Sequence, residues 1–174
     1  MNAPQQPRFI YFDLGNVLIH FDHAIACRQM AAVSSTASRT ITAQQVREAV
    51  FESPLANQFE SGQVTGDEFY AQFCEALKVK PDRAALERAS NQIFWPNLSM
   101  KPLVAALMAA RWKVGILSNT NLWHWQYILE GHFGPVPAAF DVLALSFELG
   151  VMKPEPRIYE KAAELAGFAR SEIF

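Results

Sequence analysis

Arg8-Phe9-Ile10-Tyr11-Phe12-Asp13-Leu14-Gly15-Asn16-Val17-Leu18 is the stretch from which the rest of the chain takes its place. An aromatic and aliphatic run ending in an acid and a glycine predicts a buried strand that hands a carboxylate to a loop. The pattern changes after this strand. Ile19-His20-Phe21-Asp22 leads into a segment rich in alanine and glutamine, predicting a helix from about Asp22 to Val33, with Ser34-Ser35-Thr36 as its break.

More helices come next. Thr42 is placed to cap one carrying Val46, Val50 and Phe51 on one side, and Pro54 ends or bends it. Thr65-Gly66-Asp67-Glu68 has the hydroxyl-to-glutamate spacing of a capping box, with Phe69, Phe73 and Leu77 at successive fourth positions. Pro81-Asp82 opens a helix with Leu86 and Ile93. No convincing strand pattern occurs between about residues 21 and 96, which predicts a small helical module with Phe51, Phe59, Phe69 and Phe73 in its own core.

Beyond it the pattern alternates. Ser99 is placed to cap a helix whose apolar face is Leu103, Val104, Leu107 and Met108. Trp112 to Leu117 predicts a strand that stops at Ser118-Asn119-Thr120-Asn121. After it come a helix from about Leu122 to Leu129 and an irregular stretch through Gly131, Gly134, Pro135 and Pro137. The chain closes with a strand over Phe140 to Leu145, a helix over Pro156 to Ala166, and the start of a fourth strand at Ile173-Phe174.

This order predicts an α/β fold: a Rossmann-like, three-layer core around a parallel sheet, formed by residues 1–20 and 97–174, with a helical cap of residues 21–96 inserted after the first strand. A module entering there hangs over the carboxyl ends of the strands, where open α/β sheets bind ligands. The core is expected to be incomplete at its C-terminal end, with an exposed edge that makes a homodimer an expectation.

The totals bound the function. A chain of 174 residues, 51% hydrophobic with net charge −2, predicts a soluble globular protein with no electrostatic case for nucleic acid or an anionic membrane. No apolar run reaches membrane-spanning length, residues 1–8 lack a secretory apolar segment, and Cys27 and Cys74 form no close ligand pair. A cytoplasmic location is the default expectation. Neither a phosphate-loop lysine motif nor a dinucleotide glycine fingerprint occurs.

Strand ends or the loops after them present Asp13, Ser118 with Asn119, and Lys153. Singly, each has an ordinary explanation as loop cap, turn or solvated lysine. Brought together by parallel strands, they suit a carboxylate nucleophile or metal ligand, an anion-orienting pair and a charge-neutralising cation. That set matches phosphoryl transfer through an aspartyl-phosphate.

The segments FDLGNVL, LSNTN and LGVMKPEPRIY, in that order, resemble the haloacid-dehalogenase-like (HAD) hydrolase superfamily, and most closely its small sugar-phosphate phosphatases with a helical cap. The resemblance runs from about Arg8 to Phe174. It implies a magnesium-dependent hydrolase of small phosphorylated metabolites in which Asp13 attacks phosphorus, Ser118 and Asn119 contact the transferred group, and Lys153 steadies both. A backbone carbonyl at Leu14, or at Gly15 if counted two after the nucleophile, is implied as a Mg2+ ligand.

Two departures stand out. The family's usual second aspartate, acid to the leaving alcohol and base to water, falls at Gly15, which carries no proton. His20 and Asp22 are the nearest titratable substitutes. The family's acidic pair after the fourth strand is absent, leaving Asp13 as a poor magnesium site on its own, with Glu148 or Glu155 as remote helpers. Two alternatives therefore stand beside the phosphatase: a metal-independent 2-haloacid dehalogenase using Asp13, and a non-catalytic phosphate-ligand sensor or interaction module.

Overall fold

The computed structural model describes residues 7–133 and 139–174. Its central sheet is parallel: β1 (Phe9–Phe12), β4 (Lys113–Ser118) and β5 (Val142–Leu145), in the order β1-β4-β5. Phe12 pairs with Ile116, and Ser118 with Leu145. On the other side of β1 the chain's last residues run alongside it, with Ile173 bridging Phe9 and the Phe174 amide donating to the Phe9 carbonyl at 2.9 Å. β1 is therefore flanked on both sides, which places Asp13 at the middle of the strand ends.

Helices cover both faces, as predicted for a three-layer α/β core. On one face Val104 of α6 (Lys101–Ala109) and Trp125 of α7 (Leu122–Tyr127) join Phe12, Leu14, Ile116 and Leu145 in a buried cluster. On the other, Ile158 and Ala162 of α9 (Pro156–Ala166) cover Leu117 and Ala144. The Tyr11 hydroxyl donates to the Ala162 carbonyl at 2.7 Å, tying that helix to β1. A short α8 (Ser146–Leu149) comes directly after β5.

Between β1 and α6 lies the inserted module, which comprises α1 (His23–Ser34), α2 (Ala43–Val50), α3 (Leu55–Glu60), α4 (Gly66–Leu77) and α5 (Arg83–Asn91). Its boundaries obey local chemistry. Thr42 with Gln45, and Thr65 with Glu68, form reciprocal capping boxes, while Asp22 and Asp82 accept from Ala24 and Ala85 amides at 2.7 and 2.8 Å. Its cluster buries Met30, Val46, Phe59, Phe69, Phe73 and Leu86. Each such side chain removed from water contributes about 1.5–3 kcal/mol. Trp123, at the start of α7, completes this cluster from the core side, with edge contacts to Phe59 and Phe69 at 5.2 and 5.1 Å.

Several local expectations are corrected. A strand does occur inside residues 21–96: β3 (Phe94–Pro96) pairs antiparallel with β2 (Ile19–Phe21), so the chain enters and leaves the module through a two-stranded ribbon. Three-residue strands are too short to show a period, and their partners lie far apart in sequence. Ser99 caps no helix; Asn97 accepts from the Ser99 amide and hydroxyl and caps a short turn, with α6 opening at Lys101-Pro102. Of the face assigned to α6 only Val104 is buried, whereas Leu103 and Met108 are 48% and 42% exposed. The helix beginning at Leu122 gives way to a wider turn over Ile128–His132. The expectation for Gly134, Pro135 and Pro137 lies outside the described residues. No helix among the described residues is long and apolar enough to cross a membrane.

Candidate active site

Asp13 leaves β1 and meets Lys153 from the loop after α8. Lys153 Nζ lies 2.8 Å from Asp13 Oδ2 and donates to the Leu117 carbonyl at 3.1 Å, spanning the ends of β1 and β4. Asp13 Oδ1 accepts the Leu14 amide at 2.8 Å, so both carboxylate oxygens are oriented. The Asp13 side chain remains 44% exposed, open to a reactant.

The Asn119 side chain is engaged within the protein. Its Oδ1 accepts the Lys153 amide at 2.7 Å and its Nδ2 donates to the Lys153 carbonyl at 3.0 Å, so the side-chain amide clamps the lysine's backbone. Ser118 is buried, and its hydroxyl donates to the Asn119 carbonyl at 3.1 Å. Both residues line the same cavity of about 250 Å3 as Asp13 and Lys153. The four residues on the three loops therefore converge.

Of the other predicted groups, neither His20 nor Asp22 lines this cavity. Asp22 is used as the cap of α1, and the His20 ring faces Trp95 across the ribbon at 5.8 Å. Glu148 and Glu155 are exposed and also lie outside its lining. The Leu14 carbonyl accepts amides from both Leu18 and Ile19, at 2.9 and 3.0 Å. The carbonyl assigned to a metal is thus better placed on Gly15, whose neighbour Asn16 turns the chain with φ of 58°.

For magnesium, the described residues offer the Asp13 carboxylate with backbone carbonyls beside it, a second carboxyl, Glu60, on another wall of the cavity, and no cluster of three His, Cys, Asp or Glu. These are hard oxygen donors of the kind the ion takes, too few to hold it by themselves, so that a bound phosphate and water would have to supply the rest. Asp13 and the Gly15 carbonyl would hold it, and it would neutralise charge on the phosphate.

The opposite wall comes from the module expected over the strand ends, but the side chains that form it were not singled out. Phe21, His23, Glu60 and Phe94 line the cavity there, together with His124 from α7. His23 stacks on Phe51 at 4.4 Å, and burial lowers its pKa, with Asp22 raising and Arg47 lowering it less. Burial pushes His124 down to about 3, helped by His23 and opposed by the Ser90 carbonyl, and its Nδ1 lies 3.1 Å from Asn121 Nδ2. Burial alone pushes the Glu60 carboxyl up to about 7. Glu60 is the last residue of a short, otherwise ordinary helix, and nothing local marks it.

The HAD-like resemblance recurs in comparisons with known proteins. A family model described as haloacid dehalogenase-like hydrolase matches residues 8–174. The pyrimidine 5'-nucleotidase YjjG of Escherichia coli (strain K12) is 28% identical over 166 residues, covering 91% of this chain and 71% of that protein. A HAD family enzyme from Bacteroides thetaiotaomicron, solved with magnesium and inorganic phosphate, superposes with a TM-score of 0.82 at 26% identity, over 97% of this chain and 83% of its own. An L-2-haloacid dehalogenase from Xanthobacter autotrophicus with chloropropionic acid covalently bound shares the fold, with a TM-score of 0.62 at 16% identity over 97% and 68% of the two chains.

Proposed function

The chain belongs to the haloacid dehalogenase-like hydrolase family, and we propose that it hydrolyses small phosphomonoesters, sugar phosphates or nucleoside 5'-monophosphates among them. The observation that carries this is the Lys153 ammonium held 2.8 Å from Asp13 beside the Ser118 loop. A cation fixed between a nucleophilic carboxylate and an anion pocket lowers the repulsion that an incoming phosphate meets. Two similar proteins add weight: one bears the name of a phosphomonoesterase, and one was solved with inorganic phosphate.

In this mechanism Asp13 Oδ attacks phosphorus in line, the ester P–O bond breaks, and water then hydrolyses the aspartyl-phosphate to inorganic phosphate. Lys153 and the Ser118 hydroxyl stabilise the equatorial oxygens, and Asn119 keeps Lys153 in register. The helical cap of residues 21–96 closes the leaving-group side, and the cavity of about 250 Å3 restricts that group to a compact one.

The test is phosphate release from a panel of sugar phosphates and nucleoside monophosphates, with magnesium, with chelator, and with Asp13→Asn. Release that requires magnesium and disappears in Asp13→Asn is expected. Full activity in Asp13→Asn overturns the mechanism. Halide release from 2-haloacids in place of phosphate release assigns the site to dehalogenation, and saturable phosphate binding without turnover assigns it to ligand sensing.

A further inference from the structure

Gly15 leaves the departing oxygen without a proton donor at the position the family usually uses, and in this structure an aromatic ring occupies the space a side chain there would take. A Cβ at Gly15 would lie 2.6 Å from Cε1 of Phe21, whose ring fills the space. The proton has to come from another wall of the cavity. Among the described residues, the titratable side chains lining it are Asp13, His23, Glu60, His124 and Lys153. Asp13 and Lys153 engage each other. His124 is held as a neutral imidazole by burial, and His23, stacked on Phe51, is disfavoured as a cation for the same reason.

Glu60 is the one carboxyl among them that is not engaged by Lys153. Like His124, it borders both the phosphate-side cavity and a second recess, lined by Met30, Phe51, Phe59, Phe69 and Trp123 with Ser90 and Asn121 on its polar side. Burial raises the carboxyl to about 7, with no cation beside it among the described residues to hold a charge. It is also fixed to the core. The Ser146 hydroxyl donates to the Glu60 carbonyl at 2.5 Å and accepts the Thr120 amide at 2.9 Å. Two residues on, Gly62 at φ of 69° lies so close to the Phe147 backbone that a Cβ there would collide with the Phe147 carbonyl oxygen. Glu60 is thus anchored over the loop that carries Ser118 and Asn119.

We propose that Glu60 is the acid–base residue of this site, a role that rests on the phosphatase function above. In the first half-reaction Asp13 Oδ forms a bond to phosphorus, the ester bond breaks, and the Glu60 proton passes to the leaving oxygen. In the second, the Glu60 carboxylate takes a proton from water as that water's oxygen attacks phosphorus. Phosphate leaves, Asp13 is regenerated as carboxylate, and Glu60 is protonated again.

The test compares first-turnover kinetics of the wild-type chain, Glu60→Gln and Glu60→Ala on a sugar phosphate and on p-nitrophenyl phosphate, whose leaving group departs as a stable anion. Phosphorylation of Asp13 by the sugar phosphate is expected to slow by about 10²- to 10⁴-fold in both variants. The p-nitrophenol burst is expected to stay within a few-fold of wild type, with phosphoprotein then accumulating because water lacks its base. Wild-type phosphorylation by the sugar phosphate should fall as pH rises through about 7, a limb absent in Glu60→Gln. Equal slowing with both substrates, a change in KM alone, or a pH limb that survives in Glu60→Gln overturns the assignment while leaving the phosphatase intact. A wild-type chain that never phosphorylates Asp13 overturns both.

Discussion

The two walls of the cavity are built on opposite principles. The core wall is a net of short polar contacts: Asp13 to Lys153, Lys153 to Leu117, and Asn119 to both sides of the Lys153 peptide. The module wall is aromatic, with Phe21, His23 and Phe94 around a carboxyl that has no charged partner among the described residues. A charged phosphate needs fixed countercharge, whereas a proton donor at neutral pH needs its charge disfavoured. Under the function proposed above, one cavity would meet both needs by keeping them on separate elements.

That contrast is open to experiment. Lys153→Met removes the cation from the core wall and is expected to lower kcat by about 10²- to 10³-fold, with little loss of the cap's stability. A loss of less than tenfold, in kinetics on any ester the wild type turns over, breaks the contrast. Gly62→Ala strains a left-handed residue and collides with Phe147, so it should cost about 2–4 kcal/mol in urea unfolding. An unchanged midpoint would show that the segment is free of the core.

The pH dependence sharpens the module side. Glu60 binds its proton more tightly folded, at about 7, than at its ordinary value of 4.5. The folded state then holds the extra proton between those values, and its stability falls as pH rises from about 4.5 to about 7, by at most about 3 kcal/mol. Glu60→Gln should flatten that slope in thermal melts. His124 acts in reverse: its pKa is depressed, so its stabilising effect is present above about 6.5 and lost as pH falls toward about 3. Gly15→Asp is the smallest change; displacing Phe21 should cost about 1–3 kcal/mol, and no gain in turnover is expected, as unfolding and rate measurements together would show.

The core wall was legible in the sequence because each of its residues comes after an element announced locally. Phe9–Phe12 and Trp112–Leu117 read as strands, so Asp13 and Ser118 had to emerge at strand ends. Thr42, Thr65 and Asp82 announced their helices in the same way. The division of labour within that wall was less visible, since nothing in Ser118-Asn119 says which side chain faces a ligand and which clamps Lys153. The module wall was not legible. Glu60 becomes a chemical group only because α3 lies on Ser146 and Phe147, far along the chain, and Phe21 blocks Gly15 only because the ribbon directs its ring there. His20 and Asp22 were near in sequence, and proximity along the chain proved a poor guide to which side chains enter the cavity.

The ribbon of β2 and β3 has a mechanical consequence. Both crossings between core and module are made by strands hydrogen-bonded to each other, with Ile19 opposite Pro96 and Phe21 opposite Phe94. Independent links would let the module twist, slide and tilt. Paired strands behave as one flat spring, stiff against sliding and soft only to bending across its width. Sliding of the module over the core would break that pairing, and Phe21 and Phe94, which belong to the spring itself, keep their place over the cavity with it.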